Sequence, residues 1–191
     1  MICGAIMPDG ISPFLKAYIT NEDSMVVGYI GDGAMATLQA LWESPFENDS
    51  VGSVAGISTF SNGVQAVTEN TSTTRINSLM VWQGQKPPQI TLPLHFMAKV
   101  DAQVEVQSAI MTLLQMASPD LGVALPGGRR PDPVVLDIGR RLKLVDVVIQ
   151  EVSFELDAPR TSDGLYTHNT VTLSISGMQV QNRSEIPYMF I

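Results

Sequence analysis

The sequence predicts a mainly β fold of the α+β class, in which antiparallel strands carry one helix. Three observations carry that expectation. Between Gln89 and Lys99, Ile90, Leu92, Leu94, Phe96 and Ala98 fall on one side and Thr91, Pro93, His95, Met97 and Lys99 on the other, the two-residue period of a half-buried strand. From Asp101 the period changes, and Val106, Ile110, Leu113, Leu114 and Ala117 recur at three- and four-residue spacing, which makes an apolar stripe along a helix. Two long stretches, Leu144–Leu156 and Thr167–Val180, then alternate apolar residues (Val152, Phe154, Leu156; Val171, Leu173, Ile175) with Ser153, Glu155, Thr172, Ser174 and Ser176.

The bulk numbers bound what this fold can do. At 191 residues the chain has room for one domain with an extension, and we divide it into an arm over 1–34 and a β domain over 35–191. Its apolar fraction of 45% is that of a globular protein, but only 16% of residues are charged, so much of the surface is neutral polar or covered by a partner. The formal net charge of −8 argues against a phosphate-backbone grip on nucleic acid. Before Arg75 the only basic side chain is Lys16, against eight carboxylates, so the N-terminal part is the acidic half. Cys3 is the only cysteine, which excludes an intrachain disulfide and suits a reducing compartment. No apolar run is long enough for a bilayer, and the first residues lack the pattern of a signal peptide, so synthesis and use in the cytoplasm are expected.

Taken in order, Met1–Ile19 is broken by Pro8-Asp9-Gly10 and Ser12-Pro13 and reads as an arm or short hairpin outside the core. Ser24–Ile30 reads as a strand closed by Gly31-Asp32-Gly33, whereas Ala34–Trp42 is compatible with helix or strand. Trp42, Pro45 and Phe46 follow; the two aromatics either plug the domain's own core or meet a neighbouring chain. Glu47–Thr74 is rich in Ser, Thr, Asn and Gly, a long loop with weak strands near Gly56–Phe60 and Val64–Thr68. Arg75–Gln83 is a strand that turns at Lys86-Pro87-Pro88 into Gln89–Lys99, and the helix runs from Asp101, its capping residue, to Ala117 before Ser118-Pro119. Pro119–Pro133, with four prolines, is a loop, and Val134–Ile138 a strand. The basic cluster Arg140, Arg141 and Lys143 is placed to meet the acidic half of another copy. The tail carries Tyr188 and Phe190, which need a docking site on this chain or another.

The motifs of chemistry are missing. His95 and His168 are the only histidines, and with the remote Cys3 they give no zinc-ligand spacing. Gly31-Asp32-Gly33 lacks the third glycine of a dinucleotide loop, and Gly127-Gly128 has no Lys-Ser/Thr after it. No Gly-x-Ser-x-Gly elbow occurs, and Glu151 and Glu155 share the solvent face of their strand. No catalytic, cofactor or metal site is therefore expected, and binding to other proteins is.

The order of features from Trp42 to about Gln181 resembles tail-tube-like baseplate proteins of contractile-tailed bacteriophages. It is carried by Trp42-Glu43-Ser44-Pro45-Phe46-Glu47, the Ser/Gly/Thr-rich stretch, the strand pair, the single helix, and two long strands around Asp163-Gly164-Leu165-Tyr166. The resemblance implies an antiparallel β-sandwich or partial barrel with one flanking helix, assembled as a homo-hexameric ring in the virion. Such a ring joins the central hub to the tail tube and lets DNA pass without specific binding. The family also contains the tube protein and terminator-like rings, and the long acidic N-terminal region leans towards a baseplate member. Trp42, Pro45, Phe46, Arg140, Arg141, Tyr188 and Phe190 are the expected interface residues. A non-enzymatic binding module, with Trp42 and Trp82 as contact aromatics, is the alternative, and a tail-borne peptidoglycan hydrolase stands behind it.

Overall fold

A computed structural model describes residues 1–5, 9–43, 80–121 and 128–190. They fall into two units, Met1–Leu38 with Pro87–Ile191, and Gln39–Lys86. The larger unit contains β1 (Ile2–Gly4), β2 (Lys16–Thr20), β3 (Met25–Ile30), β4 (Met35–Thr37), β7 (Gln89–Met97), β8 (Val134–Ile138), β9 (Leu142–Phe154) and β10 (His168–Gly177). The smaller holds β5 (Ala40–Glu43) and β6 (Val81–Gln85), and the helices α1 (Ser108–Ala117) and α2 (Ile186–Met189) belong to the larger.

Six strands close a barrel in the order β3-β2-β8-β9-β10-β7, every neighbouring pair antiparallel. Closure is made by Tyr29 against His95 and Ile30 against Leu94, where β3 returns to β7. Beyond that short seam the two strands part, and each is flanked by a three-residue strand: β1 runs parallel on β3 at Met25–Val27, and β4 antiparallel on β7 at Gln89–Thr91. The alternation read from the sequence fills the barrel. Ile90, Leu92, Leu94 and Phe96 of β7 face Val171, Leu173 and Ile175 of β10, all at most 3% exposed. Each such side chain contributes about 1.5–3 kcal/mol by leaving water. Helix α1 packs on β1, β3 and β9 through Ala109, Ile110, Leu113 and Met116.

On β9 the inward set is Leu144, Val147, Ile149, Val152 and Phe154, which changes phase twice. One extra residue lies near Asp146, whose φ is 57°, and another at Gln150 opposite Ser174 and Ile175. These bulges bend the longest strand so that its first half pairs with β8 and its second with β10. Pairing with β8 goes no further than Val147, because Val134 is preceded by Pro133 and Pro131, and proline has no N–H to give to a ladder.

Several expectations are corrected. Met1–Ile19 is not an arm outside the core: it supplies β1 and β2, and Cys3, Ala17 and Ile19 are completely buried. The helix does not run evenly from Asp101; Gln103–Gln107 form a wider π-type turn, closed by the Ser108 N–H to the Gln103 carbonyl, before α1 begins. Asp101 still caps it, its Oδ1 accepting from Gln103 at 2.8 Å. Leu156 lies beyond the end of β9 and is 70% exposed. Ala34–Trp42 resolves into β4 and β5. Pro45, Phe46, Glu47–Thr74 and the start of the Arg75–Gln83 strand lie outside the described residues.

Candidate assembly surface

The barrel wall formed by β9, β10, β7 and β4 has one face inside and one outside, and its outer face is set by register. Glu151, Ser174, Thr91 and Met35 lie side by side, as do Val148, Ser176, Gln89 and Thr37. Ser153, Thr172 and Pro93 make the next row, and Thr170 meets His95, with His95 Nδ1 3.0 Å from Thr170 Oγ1. The face is short, neutral or acidic, and none of these positions holds a lysine or arginine. Among the described residues, no backbone hydrogen bond reaches the outer edge of β4, or the side of β9 turned away from β10 between Val148 and Phe154. Among the described residues the four-stranded wall thus ends in an unpaired edge on either side, and such edges accept further strands.

The expected interface residues that are described lie on separate elements. Trp42 stands directly opposite Trp82 on the β5–β6 hairpin of the smaller unit, and the two are 56% and 57% exposed. Tyr188 and Phe190 are 85% and 64% exposed, while their neighbour Met189 packs on the core. Phe190 pairs with Leu142 and, with Leu38, Ile90 and Leu144, lines an apolar groove beside β4. Arg140 is engaged within the chain: its Nη1 is 2.8 Å from Asp137 Oδ2 and its guanidinium lies 3.8 Å from the centre of the Tyr18 ring. Arg141 stands 5.4 Å from the Phe14 ring centre. Both arginines thus make contacts within the chain, Arg140 with β2 and β8 and Arg141 with the turn before β2, and Arg140 keeps about half of its side chain exposed.

A buried charged cluster was not foreseen. Lys16 Nζ lies 2.7 Å from Asp9 Oδ2 and donates to the Ala5 carbonyl at 3.1 Å, with both charged side chains under 10% exposed. The Tyr29 hydroxyl donates to Asp9 Oδ2, the Ile11 N–H to Asp9 Oδ1 at 2.9 Å, and Lys16 and Lys99 both approach the Tyr29 ring. Burial opposes the Asp9 charge, but Lys16, Tyr29 and the Ile11 N–H outweigh it and hold the carboxyl well below its usual range. Burial and the adjacent Asp9 charge push the Tyr29 hydroxyl up. Beside it, the buried Glu105 accepts the N–H groups of Lys99, Val100 and Asp101. The one sequence signal was that Lys16 is the sole cation of the acidic half.

Cys3 behaves as a small buried hydrophobe, its Sγ 3.5 Å from Thr112 Oγ1, and burial raises its thiol pKa. Among the described residues no group of three or more His, Cys, Asp or Glu is placed to hold a metal, and no helix is long and apolar enough to cross a membrane. Fold and surface together define a mainly β protein, a closed six-stranded antiparallel barrel with one packed helix and, among the described residues, an unpaired strand edge at either rim of one wall. No protein-family model matches the chain, and no curated protein matches it.

Proposed function

We propose that this protein is a non-enzymatic structural subunit of a contractile phage tail, a ring-forming tube-initiator-like baseplate component. The observation that carries the proposal is the four-stranded wall, whose outer rows from Val148 to Ser153 of β9 across to β4 hold no lysine or arginine and whose two edges are unpaired among the described residues. In the proposed ring the outer edge of β4 in one copy continues the free stretch of β9 in the next, a head-to-tail contact that closes by rotation. The polar face then turns inward, and six copies make a continuous sheet around a channel. Ser, Thr, Gln and Glu side chains in these rows let DNA slide by, because positions without lysine or arginine do not displace the counterions of the phosphates. The same fold and surface suit neighbouring rings of such a tail, including the tube itself.

Negative-stain microscopy of the purified protein at rising concentration tests the proposal. Rings with a central hole are expected. A protein that stays monomeric at every concentration, and is missing from particles that encode it, overturns it. The exposed Trp42–Trp82 pair favours a second reading, a binding module with an aromatic contact platform. A glycan array separates the two, since a signal lost on Trp82→Ala in a folded monomer belongs to the module and not to the ring.

A further inference from the structure

We infer that the end of the barrel where the β8–β9 turn meets the residues before β2 is a docking surface for a second copy of this chain, on which Arg141 and Phe14 receive the acidic turn between β2 and β3 of that copy. The contact runs along the strands and not across them, so it stands apart from the proposed β4–β9 contact. The first observation is a strained turn. The Arg141 N–H donates to the Ile138 carbonyl at 3.1 Å, which closes a two-residue hairpin with Gly139 and Arg140 at its centre, their φ values being 59° and 53°. Such a turn matches the twist of its strands, and its second position is ordinarily glycine. Here an arginine occupies it, held by the buried Asp137: Oδ1 accepts the Arg140 N–H at 3.0 Å, and Oδ2 accepts from Nη1 at 2.8 Å. Strain kept up by a dedicated partner is the mark of a side chain with a task.

The second observation is what the turn brings together. Pro13–Leu15 form one tight helical turn capped by Ser12, whose Oγ accepts the Phe14 N–H at 3.3 Å, and Phe14 and Leu15 are 56% and 59% exposed. The Gly139 N–H donates to the Lys16 carbonyl at 2.9 Å, and a Cβ on Gly139 would lie 2.7 Å from the Phe14 oxygen, so glycine lets the two turns close on each other. With Arg140 over the Tyr18 ring and Arg141 beside Phe14, two guanidinium groups and two apolar side chains share one end of the barrel, and their contacts reduce the freedom left to lose on binding. Aromatic and arginine side chains dominate the energetics of protein interfaces.

The third observation names the occupant. β2 pairs with β8 from Ala17–Ile138 to Thr20–Val135, so the arginine turn lies at the Lys16 end of β2 and residues 21–24 turn at its other end. That turn exposes Glu22 and Asp23 and is itself fixed, Asn21 Oδ1 accepting the N–H groups of Asp23 at 3.2 Å and Ser24 at 2.7 Å. Each copy thus carries guanidinium groups at one end of β2 and carboxylates at the other. The two ends are complementary in charge and lie on different parts of the molecule, which makes the contact head-to-tail.

Sedimentation velocity on Arg141→Glu, on Glu22→Arg and on their equimolar mixture tests the inference, and far-UV circular dichroism checks that each variant is folded. The wild type is expected to form assemblies that grow with concentration and weaken with added salt. Each variant alone is expected to weaken that growth about tenfold or more, and the mixture, which sets unlike charges against each other again, to restore it. Where rings form through β4 and β9, the single variants stop at the ring; where they do not, the variants stop at the monomer, so failure of the ring and failure of this contact read differently. Variants that assemble as the wild type does, a mixture no larger than either variant, or a wild type that never assembles overturns the inference. Labelled duplex DNA that binds the wild type and is lost in Arg141→Glu overturns it as well, because this end then holds phosphate.

Discussion

Replacing Glu105 tests whether one buried carboxylate fixes the start of the helix on the barrel. Its Oε2 accepts the N–H groups of Lys99 at 2.5 Å, Val100 at 3.0 Å and Asp101 at 3.2 Å, and the residue is 4% exposed. A hydrogen bond to a charged group contributes about 1.5–3 kcal/mol where both ends are shielded. Here the donors lie in an open turn, Val100 being 77% exposed, so water replaces part of each bond. Taking about 1 kcal/mol for each bond, Glu105→Ala loses about 3 kcal/mol, or on the order of 6–12 °C in melting temperature for a domain of this size. Glu105→Gln keeps an acceptor oxygen and loses only the charge, so its cost is about 1–1.5 kcal/mol. Urea denaturation followed by far-UV circular dichroism measures both. Equal midpoints for all three proteins, or a Gln variant as damaged as the Ala variant, refute the reasoning.

Other outcomes follow from the same structure. Asp9 is depressed below its ordinary 3.8, so the stability it contributes is present above that pH and lost as pH falls below it; Asp9→Asn flattens this acid limb. Tyr29 is raised above its ordinary 10.0, so its contribution is present below pH 10 and is lost as the pH climbs beyond it; Tyr29→Phe flattens that alkaline limb. Stability titrations in which both variants keep the wild-type limbs contradict these assignments. Leu173→Ala, at a completely buried position facing Leu92, costs about 2–5 kcal/mol in the same denaturation assay, and a loss below about 1 kcal/mol means that the barrel interior is not packed as described.

Much of the barrel was legible in the sequence because its central strands are long and strictly alternating. Gln89–Met97 and His168–Gly177 keep one phase from end to end, and α1 keeps a helical stripe. β9 was legible as a strand but not as a bent one, since the phase changes at Asp146 and Gln150 come from bulges that a period-two pattern cannot register. β1 and β2 were missed for a different reason: three and five residues between turns carry too little pattern, and their burial is decided by β3, β8 and α1. Closure was hidden too, resting on two residue pairs between Tyr29–Ile30 and Leu94–His95. Of the candidate surface, the polar face was readable as the wet side of its strands. The engagement of Arg140 with Tyr18 and Asp137 was not, because it depends on how the β8–β9 turn folds back, Arg140 itself having a φ of 53°.

The central claim is that β4 of one copy joins β9 of the next, and cysteine cross-linking measures it most directly. Thr37→Cys is combined in turn with Glu151→Cys and with Ser153→Cys, all on the outer face, with Cys3 left buried. Oxidation of a double variant is predicted to give a ladder of covalent oligomers ending at six, while each single variant stays monomeric on a denaturing gel. Double variants that remain monomeric after oxidation, or single variants that cross-link as well as the doubles, contradict the account.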